Sequence, residues 1–271
     1  MIQTPAIPRC FNCGEVLKGP FCHACGQEAV DRPLSLRTFL ANALDQLFSF
    51  RSKTLRSLVY LIIKPGTLTR QYISGQRVRY ANPIQIYAIC AAVFFLANSY
   101  RSFVTITEKN QVVSSLSAMK LGQGLDEVEL GELMATGITP EVFRERFRMS
   151  VTQSLPQFMI GGIVAFALAV WLFNPRRPFM IHVIFALHWI GFFMLVMSFD
   201  RFLPTAETGQ SPITGIIVIG TLVHLTLSLR AVYDHGWFRA AISGLGLFMA
   251  FNTILAVWVF SVVKFAFWLM L

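Results

Sequence analysis

FMIHVIFALHWIGFFMLVMSF, residues 179–199, contains no Asp, Glu, Lys or Arg in 21 positions. At 1.5 Å of rise per residue a helix of that length covers roughly 30 Å, the hydrocarbon thickness of a bilayer. A water-facing helix would need a charged stripe, and this stretch has none. It predicts a transmembrane helix, and the rest of the 271-residue chain is read outward from it.

Four more apolar runs, at 82–100, 155–173, 213–230 and 240–263, have the length and composition of spans. Composition agrees, with 55% hydrophobic and 14% charged residues, whereas a soluble domain carries about a quarter charged. Such a balance excludes a soluble globule, a disordered chain, a collagen-like repeat and a disulfide-stapled secreted module. The opening MIQTPAIPRC lacks an apolar core, so insertion is expected from the spans and not from a cleavable signal peptide.

Charge gives the orientation. The net charge is +9, and with the N-terminus inside, the inner segments hold 15 of the 23 Lys and Arg. The segment 100–154 carries seven acids against six bases, leaving it near neutral. Positive charge collects on the cytoplasmic side, so the expectation is N-terminus cytoplasmic and C-terminus periplasmic. Within the outer loop, 126–134 and 139–151 read as short helices, the second opened by Thr139-Pro140-Glu141. The loop reads as a solvated connection between spans, with a ligand-binding cap as the sharper alternative.

Four of the five cysteines form two C-x-x-C pairs, Cys10/Cys13 and Cys22/Cys25, each followed by glycine, Gly14 and Gly26. Thiolates two residues apart in a tight turn can share one metal ion, and the glycine supplies the positive φ that turns backbone N–H groups toward sulfur. Two such knuckles complete a closed four-sulfur site suited to one structural Zn2+ per chain. A reducing cytoplasm argues against disulfides, and 25 residues cannot supply the strand–helix unit of a redox C-x-x-C. A saturated site leaves no open position for catalysis. His23 is expected to be exposed, and Cys90 in the first span to serve packing.

Residues 34–80 alternate apolar runs with bases. Leu36, Phe39, Leu40, Ala43, Leu44, Leu47 and Phe48 fall on one helical face, and 55–63 is too short to span but suits a helix in the headgroup layer. Arg51, Lys53, Arg56, Arg70, Arg77 and Arg79 are expected to meet anionic lipid headgroups. A nucleic-acid patch is disfavoured because the aromatics lie on the apolar faces and not beside the arginines.

The expected fold class is therefore an all-α membrane protein, a five-span helical bundle with interfacial amphipathic helices and a small N-terminal zinc ribbon. Residues 1–32 form the ribbon, 33–81 the basic collar, and 82–271 the membrane domain with a periplasmic loop at about 101–154.

The head Cys10-x-x-Cys13-Gly14 with Phe21-Cys22-x-x-Cys25-Gly26-Gln27 resembles a bacterial family of uncharacterised membrane proteins, domain of unknown function 3667. So do Lys64-Pro65-Gly66, the run from Arg70 through Gln76-Arg77 to Tyr80 and Pro83, the segment from His182 to His188, and Leu229 to Tyr233. The resemblance covers most of the chain and is most specific in the first 85 residues. It implies a zinc-ribbon head on a bacterial inner-membrane protein, and no activity.

No Asp or Glu falls inside a span, which lowers the expectation of a coupled transporter. His182, His188, His224 and Asn252 remain as intramembrane polar groups. Counted from the cytoplasmic ends they lie at depths of about 5, 14, 9 and 18 Å, so they could form a ladder. Interhelical ties are the first reading, with an ion path or metal ligation as alternatives. Glycines 161, 162, 215, 220, 244 and 246 are expected to permit close helix approach. No nucleophile elbow, phosphate loop or H-E-x-x-H occurs, so no catalytic residue is assigned. The expected function is a structural, assembly or regulatory membrane protein whose cytoplasmic ribbon docks a protein partner. The alternative is an ion, proton or small-solute channel or transporter.

Overall fold

A computed structural model of the protein describes residues 9–29, 52–108, 159–203 and 213–268. Among these residues seven helices follow one another: α1 (Ser52–Ile63), α2 (Thr67–Ile73), α3 (Pro83–Glu108), α4 (Met159–Phe173), α5 (Phe179–Phe202), α6 (Thr214–Tyr233) and α7 (Trp237–Trp268). Among the described residues there is no strand, only two isolated bridges in the cysteine head. The amphipathic face expected at 36–48, residue Arg51 and the loop helices expected at 126–134 and 139–151 lie outside the described residues.

Among the described residues three helices are long and apolar enough to cross a bilayer: α5, α6 and α7. The apolar parts of α3 and α4, Pro83–Asn98 and Met159–Phe173, are shorter. Helix α5 is the hub, with 61% of its apolar window buried against 28% for α6 and α7. It packs along α3 on one side and touches α6 on the other. A core of Phe166, Trp189, Phe193 and Phe251 locks α4, α5 and α7 together, with ring centroids 4.7–6.0 Å apart. Ile216, Ile219, Phe238, Met249 and Val257 point outward and stay exposed, an apolar girdle that water would not tolerate over such an area.

Local chemistry sets the helix ends. Asn82 caps α3 by accepting the Ile84 N–H through Oδ1 at 3.0 Å, and Pro83 occupies the first helical position, where a missing N–H does no harm. Asn174 closes α4 by donating from Nδ2 to the Val170 carbonyl at 3.1 Å. Asp234 stops α6 with a left-handed φ of 53°.

The basic collar does more than lie on a surface. Helices α1 and α2 pack against α5 and α6. Thr54, Ser57, Leu61, Leu68, Thr69 and Tyr72 are buried, while Leu55, Val59, Ile62 and Ile63 are exposed. Helix α1 thus turns two hydroxyls and Leu61 to the protein and leaves four aliphatic side chains and Arg56 facing out, a mixed apolar and basic face suited to the headgroup layer of a membrane. Ser57 serves both roles of its hydroxyl, donating to the Lys53 carbonyl and accepting the Ala81 N–H at 3.0 Å.

Glycine usage differs from expectation. Only Gly244 and Gly246 of the six approach a neighbour, Thr226 and Phe173 respectively, whereas Gly161, Gly162, Gly215 and Gly220 face open space. The close approach falls elsewhere. Gly66, with φ of 74°, sets its turn directly on the backbone of α6 at Ser228.

Candidate metal centre

The head is one knuckle made twice. In the first, Cys10 N–H bonds the Glu15 carbonyl and Gly14 N–H bonds the Cys10 carbonyl; in the second, Cys22 N–H bonds the Gln27 carbonyl and Gly26 N–H bonds the Cys22 carbonyl, all at 2.8 Å. Gly14 and Gly26 carry φ of 78° and 73°, which any side chain would strain. Both glycines face open space, so torsion and not crowding dictates the residue type.

This repeat brings all four sulfurs within 4.8 Å of one another. Cys10 Sγ lies 3.6 Å from Cys25 Sγ, and Cys13 Sγ lies 3.5 Å from Cys22 Sγ. All are free thiols, and together they form a donor set that can hold one metal ion. The Glu15 backbone favours the Cys13 thiolate, but desolvation and the thiols of Cys22, Cys25 and Cys10 outweigh it and push Cys13 up to about 12. Crowded thiols resist joint ionisation, and a cation among them lifts that resistance. His23 is exposed and outside the cluster.

The head is joined to the collar by one side chain. Gln27 donates from Nε2 to the Gly75 carbonyl at 2.8 Å and accepts the Arg77 N–H through Oε1 at 3.3 Å. Its amide thus pairs with a backbone segment as a neighbouring strand would, while its own carbonyl holds the second knuckle. Phe11, from the first knuckle, abuts Gly75, whose φ is 91°. Arg77 also lies over the Tyr72 ring at 5.7 Å, so its part is partly internal. Arg56, Arg70 and Arg79 are exposed and Lys53 is half-buried.

The intramembrane polar groups do not line up as one ladder. His182 accepts at Nδ1 from the Tyr233 hydroxyl at 2.8 Å and donates from Nε2 to the Arg177 carbonyl at 3.2 Å. His188 Nδ1 pairs with the Thr69 hydroxyl of α2 at 2.9 Å. Asn252 is exposed and bonds back to Phe248 on its own helix. Only His188 and His224 come together, bordering a cavity of about 10 Å³ with Lys64, Thr69 and Ser228, room for about one water. Cys90 is fully buried, against Gly191 of α5.

His224 has the clearest physical reason. The Leu61 carbonyl sits in the last turn of α1, where its helical donor would be the N–H of residue 65. Residue 65 is proline and has none. His224 Nε2–H fills the vacancy at 2.9 Å, which fixes the tautomer and leaves Nδ1 to accept from Ser228 at 3.5 Å. The partners stand 163 residues apart, so no local pattern announces them. Replacing His224 with Leu strands a buried carbonyl and should destabilise the protein by about 1–2 kcal/mol. His224→Gln keeps a donor and should recover most of that in thermal unfolding. Equal losses for both variants would contradict the cap.

Residues 51–95 match the sequence profile of a family described as Protein of unknown function (DUF3667). The matched segment covers α1, α2 and the first half of α3, the collar and its junction with the membrane domain. No curated protein and no solved structure matches the chain.

Proposed function

We propose that this is a bacterial inner-membrane structural, assembly or regulatory protein whose cytoplasmic zinc ribbon docks a protein partner. The observation that carries the reading is the Gln27 bridge. It ties a metal-binding head to Gly75 and Arg77, and the collar is in turn wedged against α5 and α6. A contact made on the ribbon is thereby relayed to the bundle.

Zinc is favoured by the donor set. Four thiolates about 2.3 Å from a central ion lie about 3.8 Å apart at the corners of a tetrahedron, close to the 3.5 and 3.6 Å separations here. The cytoplasmic side is supported by the bases that gather with the ribbon. Arg177 pairs with Asp234 at 3.6 Å across the α4–α5 and α6–α7 turns, and Gly66 of the collar meets the inner end of α6. The second reading, an ion or proton path, rests on the cavity shared by His188 and His224. Against it stands the absence of any carboxylate among its lining residues.

Phe21 is 61% exposed on the ribbon, within reach of anything docked there. A photoreactive phenylalanine placed there should cross-link one discrete cytoplasmic protein in living cells. The adduct should vanish when Cys13→Ser removes a metal ligand. No adduct at Phe21, or one that persists in the Cys13→Ser chain, would sink the docking proposal.

A further inference from the structure

Between α3, α4, α5 and α7 lies an open-sided cavity of about 480 Å³, within the roughly 300–1,000 Å³ of small-molecule sites. No charged residue is among its described lining. Gly162 of α4 lies in the wall, where an added Cβ would meet no described atom within 4 Å. A glycine inside a helix is unfavourable by about 0.5–1 kcal/mol relative to alanine, and here no neighbour comes close in return. What Gly162 provides is room.

Two hydrogen-bond donors line the same space, the Tyr87 hydroxyl and the Trp258 indole N–H. Both are buried and have no partner among the described residues. The third polar side chain, Asn98, turns its amide N–H back to the Phe94 carbonyl. An occupant has to accept hydrogen bonds, because the indole can only donate. It has to be uncharged, because no charged side chain is among the described lining. It has to dissolve in hydrocarbon, because the site lies at membrane depth.

The backbones of the two donor residues stand at different levels. Tyr87 abuts Gly191 of α5, and Phe251 of α7 packs on Trp189 and Phe193, on either side of that glycine. Trp258 is seven residues beyond Phe251, two turns or about 10 Å further along the bundle. Phe94, Phe193 and Phe251 line the interval. That backbone rise is comparable to a flat ring with acceptors at opposite ends and a hydrogen bond of about 2.8 Å at each, and aromatic walls suit its faces.

We propose that this cavity binds a membrane quinone, its two carbonyls accepting from Tyr87 and Trp258 and its apolar tail leaving between the helices into lipid. The site is independent of the ribbon and of any partner docked there. Full-length protein in lipid nanodiscs, titrated with a decyl-tailed benzoquinone, tests it through quenching of tryptophan fluorescence and through calorimetry. Wild-type protein should bind saturably. Tyr87→Phe and Trp258→Phe should each weaken binding about fivefold, the value of one neutral hydrogen bond. Gly162→Leu should fill the wall and abolish saturable binding while the quinone-free protein melts no lower than wild type. Non-saturable uptake by the wild type, or unchanged affinity in both Tyr87→Phe and Gly162→Leu, would overturn the proposal. So would an acyl lipid co-purifying in place of quinone and lost in Gly162→Leu.

Discussion

Cys13→Ser should strip the protein of its metal and release the head from the collar, while the helices stay folded. Purified wild-type protein should carry about one zinc per chain by elemental mass spectrometry, and the variant close to none. Three remaining thiolates cannot close the tetrahedron, and a structural zinc site of this kind contributes roughly 10–16 kcal/mol of folding free energy. That is far more than 21 described residues without a helix can replace. The Cys10 and Cys22 turns are held by the same knuckles that present Gln27, so metal loss should also break its bonds to Gly75 and Arg77. Hydrogen exchange at the Arg77 N–H, which Gln27 Oε1 accepts, should be slow in the zinc-loaded chain and fast after chelation. Far-UV circular dichroism should barely change. Full metal retention in the variant, or iron in the wild type, would contradict the site.

Gly66→Ala should be the most damaging single methyl in the described structure. Gly66 has φ of 74°, and an added Cβ would stand 2.8 Å from the Ser228 carbonyl oxygen, 2.9 Å from Ala231 Cβ and 3.0 Å from Ser228 Cα. The first penalty is torsional, about 1–2 kcal/mol for a left-handed L residue. The second is overpacking, about 1–3 kcal/mol, and two of the three atoms opposed are helix backbone that cannot swing aside. We expect a total near 3 kcal/mol, read as a clear fall in thermal midpoint in detergent. Gly220→Ala is the control. It faces open space in the same helix that Gly66 abuts, and alanine is the better helix former, so that variant should melt at or above wild type. Equal melting of the two variants would show the turn is not seated on α6.

The contrast between these two glycines also marks what sequence reveals. Hydropathy over 179–199 and the twofold C-x-x-C-Gly spacing are local signals, written within one helix or one turn, and both the span and the cysteine cluster follow from them. What a residue meets across the bundle is not local. Gly162 and Gly244 look alike in the sequence, yet one faces a cavity and the other Thr226. Gln27 was visible only as the end of a motif, not as the side chain joining head to collar. Of the four intramembrane polar groups, Asn252 faces outward because the register of α7 puts it there, and hydropathy cannot supply a register. Pro65 does mark in the sequence that the Leu61 carbonyl lacks a helical donor, but not which distant residue supplies one.

That missing donor has a consequence for biosynthesis. Leu61 leaves the ribosome 163 residues before His224, a delay of roughly ten to thirty seconds at bacterial-to-eukaryotic elongation speeds of about 5–20 residues per second. Throughout that interval the end of α1 has an open acceptor, and the turn at Gly66 has no α6 to rest on. The collar helices α1 and α2 therefore lack, until α6 is made, the helix they are seated on. A nascent chain halted before His224 should leave the 52–82 segment open to protease, and one extended past Tyr233 should protect it. The collar's last contacts are in this sense a late event, available only once α6 has been made.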